Sequence, residues 1–434
     1  MSLHYVPAGV EIYSATSAQV LITNKPNKTE ETDFGKKYKH WRTRERTISL
    51  VVKSLRSGVN IKHTADAAIP IFNSSFIAAA GLTKVLANPI HGNYVKEPYE
   101  SKGIESIIDS GGFQMLKGTT DFVHPDDVVT RYNREANIGM PLDLPVRSAV
   151  EASFFDPVSR MIKANDDYIL KRLNKGVHLA LISHGSTINL RKRRLDVLDR
   201  DAEVVAIAGL NIKPRPGVDH VLNNVENLMY VTHRYHKRTR YFHVLGVTSK
   251  LWFFMYALLE ASGYVREIGA DSVSHRLGAL VGMYDTSDFQ SVSLTKGVDY
   301  RQTVPCNCPV CSAIDDMRVI QTQLVLESHN LWVRGQQALL MSDMARSYIK
   351  GTLPLKVVYD TLSLKLGMSK FQHIVHYAQE IMASGKFRPI KPERGSNTLF
   401  SEMRSQATTS GPLFDQYKSI LEKYEKFHRS KFIR

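Results

Sequence analysis

Cysteine is nearly missing from this chain: 434 residues carry three, and none is left over for a disulfide framework. That excludes a disulfide-held secreted scaffold and makes a reducing cytoplasm the expected compartment (the host's, for a phage-encoded chain). Long apolar runs are missing too. No stretch has the length of a membrane span, the N-terminus lacks the charged-then-apolar layout of a signal peptide, and no membrane partner is expected. Acid is scarce beside base, with 42 Asp and Glu against 57 Lys and Arg, for a net charge of +15. No glycine-rich dinucleotide or phosphate-loop fingerprint follows the first strand candidate, which weakens a nucleotide-binding fold. Hydrophobic residues make up 43%, enough for a large core and too many for wholesale disorder.

The cysteines that are there fall in a single run, Pro-Cys-Asn-Cys-Pro-Val-Cys, as Cys306, Cys308 and Cys311. With His329 downstream, this C-x-C-x-x-C spacing supplies four ligands for a tetrahedral Zn²⁺. A closed Cys₃His shell leaves no open coordination position. The zinc is therefore expected to be structural, and the chemistry lies elsewhere.

Positive charge is clustered at 36–44, 191–194 and 234–240, and again at Lys423, Lys426, Arg429, Lys431 and Arg434. Two of these runs interleave aromatics with bases, a pattern suited to neutralising phosphates and stacking on unpaired bases. A nucleic acid is the expected partner.

Strand candidates at 68–73, 106–109, 139–143, 178–183, 203–209, 241–247 and 270–273 alternate with helical patterns at 126–137, 157–174, 189–201, 218–236 and 249–268. Such alternation predicts an α/β fold with a parallel sheet, best accommodated by a (β/α)₈ TIM barrel. The domain reading is a β/polar N-terminal segment over 1–65, a barrel with an inserted zinc site (306–329) over 66–335, and a basic helical extension over 336–434. Acids and glycines gather where strands end: Asp109 to Gly112, Asp143, His184, Gly209, Gly246 and Asp271. In a barrel those ends share one mouth.

The run Asp109-Ser110-Gly111-Gly112-Phe113-Gln114 resembles the signature of the tRNA-guanine transglycosylase superfamily. Ala208-Gly209-Leu210, Leu245-Gly246-Val247, the cysteine run and His329-Asn330-Leu331 follow in that family's order, so the likeness covers about 67–335. It implies a zinc-containing TIM barrel that exchanges guanine in a polynucleotide for a free 7-deazaguanine base, through a covalent aspartyl-glycosyl intermediate. By resemblance Asp109 is the acid/base and Asp143 binds the amino and ring N–H edge of the base. Gly209 and Leu210 offer backbone contacts to its carbonyl side, Leu245 packs on the purine face, and Ser110, Gly111, Gly112, Phe113, Gln114 and Gly246 belong to the same pocket.

Two departures stand out. The family places its nucleophile at the second Asp of Gly-x-Asp-x-Phe-Asp; here the stretch is Gly269-Ala270-Asp271-Ser272-Val273-Ser274, which sets Ser274 there. Asp271, the only local carboxylate, is expected to be the nucleophile despite the offset; Asp285 and Asp288 are weaker candidates. His184 stands where the family carries Gln. Divergence around the first strands and the nucleophile, with the zinc and base-pocket motifs kept and no obvious archaeal-type RNA-binding module, makes the chain most similar to the DNA-guanine transglycosylases, which insert preQ0-like bases into phage or bacterial DNA. Action on tRNA, a zinc-containing binding subunit without catalysis, and a hydrolytic glycosylase are the alternatives. A homodimer or a partner subunit stays open.

Overall fold

Val-Val-Ala-Ile over Val204–Ile207 and Tyr-Phe-His-Val over Tyr241–Val244 are buried at every position, as expected of parallel strands covered on both faces. The computed structural model describes residues 2–7, 19–23, 49–52, 65–70, 74–87, 96–118, 120–144, 155–210, 219–272, 274–294, 306–312, 323–387 and 411–432. Its strands are β1 (Ser2–Pro7), β2 (Gln19–Thr23), β3 (Ser49–Val52), β4 (Ala65–Pro70), β5 (Lys84–Ala87), β6 (Glu105–Ile108) and β7 (Ile138–Gly139), then β8 (His178–Leu179), β9 (Leu181–Ser183), β10 (Val204–Ile207), β11 (Tyr241–Val244), β12 (Glu267–Ser272), β13 (Met283–Asp285) and β14 (Ser291–Ser293). The main helices are α1 (Gly112–Leu116), α2 (Pro125–Glu135), α3 (Phe155–Leu170), α4 (Ile188–Leu198), α5 (His220–Tyr235) and α6 (Lys250–Ala261). They continue with α7 (Ser274–Leu280), α8 (Gln323–Ile349), α9 (Leu355–Leu362), α10 (Met368–Ser384) and α11 (Gly411–Phe432).

The fold is α/β. One parallel sheet has the order β1-β12-β11-β10-β9 and a second the order β5-β6-β7-β8. Only Ala180 separates β8 from β9. At the other edges β1 lies against β5, where His4 Nδ1 and Thr83 Oγ1 are 2.8 Å apart. Helices start where the sequence offers caps. Thr187 accepts from Leu190 N–H to open α4, and Asp219 accepts from Val221 and Leu222 N–H to open α5. Leu251 to Glu260 in α6 are all buried, because α6 lies between β12 and β1 on one side and α8 on the other. No helix among the described residues is long and apolar enough to cross a membrane.

Four details differ from the sequence expectation. Ser2–Pro7, read as lying outside the barrel, pairs in parallel with β12. The 68–73 candidate overlaps β4, which pairs antiparallel with β2 rather than joining the parallel strands. The strand it displaced, β5, escaped notice because it opens on Lys84, a buried lysine ion-paired to Glu105 and Glu267. The helix expected over 249–268 stops at Ala261, since Gly263 takes a left-handed φ of 71°, and β12 starts at Glu267. The boundary drawn at 335 falls inside α8. Beyond it α10 packs on α5, and α11 packs on α3 and α1, with Gln416 donating to Met115 O at 2.9 Å.

Candidate active site and metal centre

The ends of β6, β7, β9, β10, β11 and β12 carry Asp109, Asp143, His184, Gly209, Leu245 and Asp271. Parallel strands present those ends at one side of each sheet, Asp109 and Asp143 following strands of one sheet and His184, Gly209, Leu245 and Asp271 lying at the ends of strands of the other. Two loops interlock directly. Ser110 Oγ donates to Pro141 O at 3.0 Å, and a Cβ on Gly112 would stand 2.5 Å from Asp143 O. Only glycine permits that approach, which sets the Asp109 loop against the Asp143 loop. Phe113 lies in α1 with its side chain outside the described residues.

Asp271 is buried and held from two directions. Its Oδ1 accepts from Gly246 N–H at 3.0 Å and lies 3.1 Å from His243 Nε2. A carboxylate only accepts, so Nε2 carries the proton. His243 Nδ1 in turn meets Tyr241 OH at 2.8 Å. Gly246, at φ 69°, is turned to aim its N–H at Asp271, which assigns that amide to the acid rather than to a bound base. His243 and Tyr241 were not among the sequence candidates. The signal was there in period-two alternation, which puts 241 and 243 on one face of the strand leading to Leu245.

The two candidates separated by the three-residue offset stand in different surroundings. Ser274 opens α7, with its Oγ 3.4 Å from Tyr5 OH, while Asp271 is still on the strand and paired with β11's histidine. Asp285 is engaged elsewhere, accepting from Arg334 Nε at 2.8 Å and Ser291 Oγ at 2.6 Å, and Asp288 is exposed.

Burial raises the Asp109 carboxyl above its ordinary value. The Gly111 and Ser110 N–H groups and the Gln114 amide pull it back, and the negative charge of Asp271 pushes it up again. Its protonated form, the one able to donate to a leaving group, therefore persists to higher pH than in a free carboxyl and is lost as pH rises through the raised value. In Asp271→Asn the push is gone, so Asp109 should titrate at lower pH than in wild type. Carboxyl ¹³C NMR reads this directly; an unchanged value would mean that the two acids do not interact.

The sulfurs of Cys306, Cys308 and Cys311 and a ring nitrogen of His329 all lie within 4.8 Å of one another. His329 Nδ1 is 3.9, 3.3 and 3.3 Å from the three sulfurs. A tetrahedral zinc with Zn–S and Zn–N bonds of about 2.3 and 2.1 Å needs S···N separations of about 3.6 Å, so the donor set fits. The second ring nitrogen, Nε2, sits 2.8 Å from Asp285 O, which fixes the tautomer that leaves Nδ1 free to ligate. Tyr284 stacks on the imidazole with ring centroids 3.8 Å apart.

The basic runs are a correction. Arg191 and Arg194, three apart on α4, point inward and are fully buried, and Arg193 pairs with Asp156. In the second run Arg234 binds Asp196 and Asp199 at 3.0 and 3.1 Å. Arg238 binds Asp199 and Asp201 at 2.8 and 3.1 Å, and Arg240 binds Glu105 at 3.0 Å. Tyr235 is buried and His236 stacks on Tyr264, so neither offers a free face to a base. Arg240, Glu105 and Glu267 stand at the starts of β11, β6 and β12, the opposite end from the candidate site. The run at 36–44 and Arg434 lie outside the described residues. On α11, Lys431 pairs with Asp126 at 3.1 Å and Arg429 with Glu425 at 3.6 Å.

No protein-family model matches the chain, and no curated protein matches it.

Proposed function

We propose that the protein is a guanine transglycosylase that exchanges guanine in DNA for a 7-deazaguanine base, built on a closed (β/α)₈ barrel with a structural zinc. One observation carries the reading. Two carboxylates, the half-buried Asp109 and the buried Asp271, come from different strands to the same end of the parallel strands, where the charge of Asp271 acts on Asp109. Support for closure comes from the edges. β8 and β9 are one residue apart and β1 abuts β5, so the parallel strands follow chain order around a ring.

Exchange with the sugar configuration kept takes two displacements at C1′. Both donors on Asp271 fall on Oδ1, and among the described residues none is placed on Oδ2, so Oδ2 is the attacking oxygen. In the first displacement Oδ2 bonds to C1′ while the C1′–N9 bond breaks, its electron pair leaving with guanine, to which Asp109 gives its proton. In the second, the incoming base surrenders its N9 proton to Asp109, N9 attacks C1′, and the Asp271–C1′ bond breaks. Atoms and protons balance, and Asp109 returns to its starting state. His243 and Gly246 hold Asp271 in line. A zinc bound by three thiolates and His329 would hold the structure together rather than enter the reaction. The target nucleotide must leave its stack to reach such a site.

The test supplies purified protein with duplex DNA and unmodified tRNA in parallel, plus 7-cyano-7-deazaguanine, followed by digestion to nucleosides and mass spectrometry. A deazaguanine deoxynucleoside is expected. A modified ribonucleoside instead would move the enzyme to tRNA, abasic sites would make it a hydrolase, and no product from either bound polymer would leave a binding subunit.

A further inference from the structure

Arg191 is fully buried, yet none of its hydrogen bonds goes to a carboxylate. Its Nη1 donates to Ser183 O at 2.9 Å and to Ser183 Oγ at 3.2 Å, Nη2 donates to Ala208 O at 2.7 Å, and Nε donates to Asn227 Oδ1 at 2.9 Å. Ser183 and Ala208 are the residues just before His184 and Gly209. One guanidinium thus ties together the ends of β9 and β10.

A row of asparagines on α5 continues the tie. Asn227 Nδ2 donates to Ser186 O at 3.1 Å and Asn223 Nδ2 to the same oxygen at 2.9 Å. Asn224 Nδ2 donates to Leu210 O. The loop after β9 also lies flat on α4, because a Cβ on Gly185 would stand 2.9 Å from Arg191 N. Side chains that could have been apolar core are instead devoted to four backbone carbonyls, Ser183 O, Ser186 O, Ala208 O and Leu210 O, at the ends of two strands.

We propose that Arg191 is a positioning device that aims the backbone N–H of Gly209 at the carbonyl edge of the bound purine, with Asn224 and Asn227 anchoring the segments that follow the two strands. A trans peptide directs its N–H opposite to its C=O, and the described backbone contains no cis bond. Holding Ala208 O on the guanidinium therefore turns Gly209 N–H away from α4, toward the strand ends. The charge on Arg191 strengthens its bonds to carbonyl oxygens and makes them directional, whereas a neutral side chain would leave the peptide freer to rotate. Binding then gains from donors already in place. This inference rests on the transglycosylase reading proposed above, with Gly209 on the carbonyl side of the base as the family resemblance implies.

The test uses full-length Arg191→Lys and Asn224→Ala beside wild type, with three readouts: melting temperature, calorimetric binding of 7-cyano-7-deazaguanine, and hydrogen exchange over 183–186 and 208–210. Lysine keeps the charge but, with three donors on a single nitrogen, cannot span the four acceptors the guanidinium holds. We expect Arg191→Lys to weaken base binding about 10- to 100-fold and to speed exchange in both segments, with DNA affinity within about twofold. Asn224→Ala should do the same to a smaller degree, with the faster exchange confined to 208–210. Should Arg191→Lys fail to fold, Asn224→Ala decides alone. Folded variants with wild-type base affinity and wild-type exchange would overturn the proposal. If wild type binds no purine at all, the base-exchange reading falls, and faster exchange in the variants still upholds the clamp, while unchanged exchange removes both.

Discussion

Asp271→Asn is expected to abolish the proposed base exchange, lowering the rate by about 10⁴-fold or more, while melting temperature and DNA affinity stay close to wild type. The size follows from the role, since without a nucleophile neither displacement has a partner for C1′. The retained fold follows from the amide, which keeps an oxygen for Gly246 N–H at the position Oδ1 now holds. The sharper readout is covalent. With the incoming base withheld, wild type should accumulate a protein–DNA adduct on denaturing gels and the variant none. Ser274→Ala is the matched control and should retain most activity, because Ser274 Oγ faces Tyr5 OH rather than the paired acids. If Ser274→Ala were the dead variant and Asp271→Asn the active one, the assignment of the nucleophile would be wrong.

Cys308→Ser is expected to remove the proposed zinc and to lower the melting temperature by about 10 °C or more, since a structural zinc contributes on the order of 10 kcal/mol of binding free energy that is tied to folding. The region it would hold explains why the loss spreads. His329 sits in α8 and links to Asp285 O, while its neighbour Asn330 accepts from Asp285 N–H at 2.9 Å and donates to Met283 O at 2.9 Å and His275 O at 3.3 Å. α8 also packs against α6, α7 and β1. Loosening its N-terminal half therefore reaches α7, which starts directly after the strand of Asp271. Metal analysis together with calorimetric melting checks both parts. Full stability in a zinc-free variant would reduce the cluster to four neighbouring side chains with no structural duty.

Much of the candidate site was nominated by the sequence. Short apolar strands with amphipathic helices between them announced a parallel α/β fold, and strand ends could be located well enough to nominate Asp109, Asp143, His184, Gly209 and Asp271. Local rules suffice for that, because period and turn residues act over a few positions. The candidate metal donors were equally plain, since three thiols in one run have few other uses. The basic runs misled for a physical reason. A linear run of Arg and Lys carries no sign of which side chains face inward or which acids lie across a neighbouring helix, so 191–194 and 234–240 read as surface when much of their charge is buried or paired.

By itself, then, the sequence determined the α/β class, the metal donors and the acids at strand ends, because residue type and short-range spacing dictate those. Tertiary structure alone decided the rest. It brought Ser2–Pro7 beside β12, set His243 and Gly246 on Asp271 Oδ1, pressed Gly112 on the Asp143 backbone, and turned Arg191 inward to hold two strand ends. Each of these joins residues from separate segments of the chain, and no local pattern can specify a contact whose other half lies tens or hundreds of residues away.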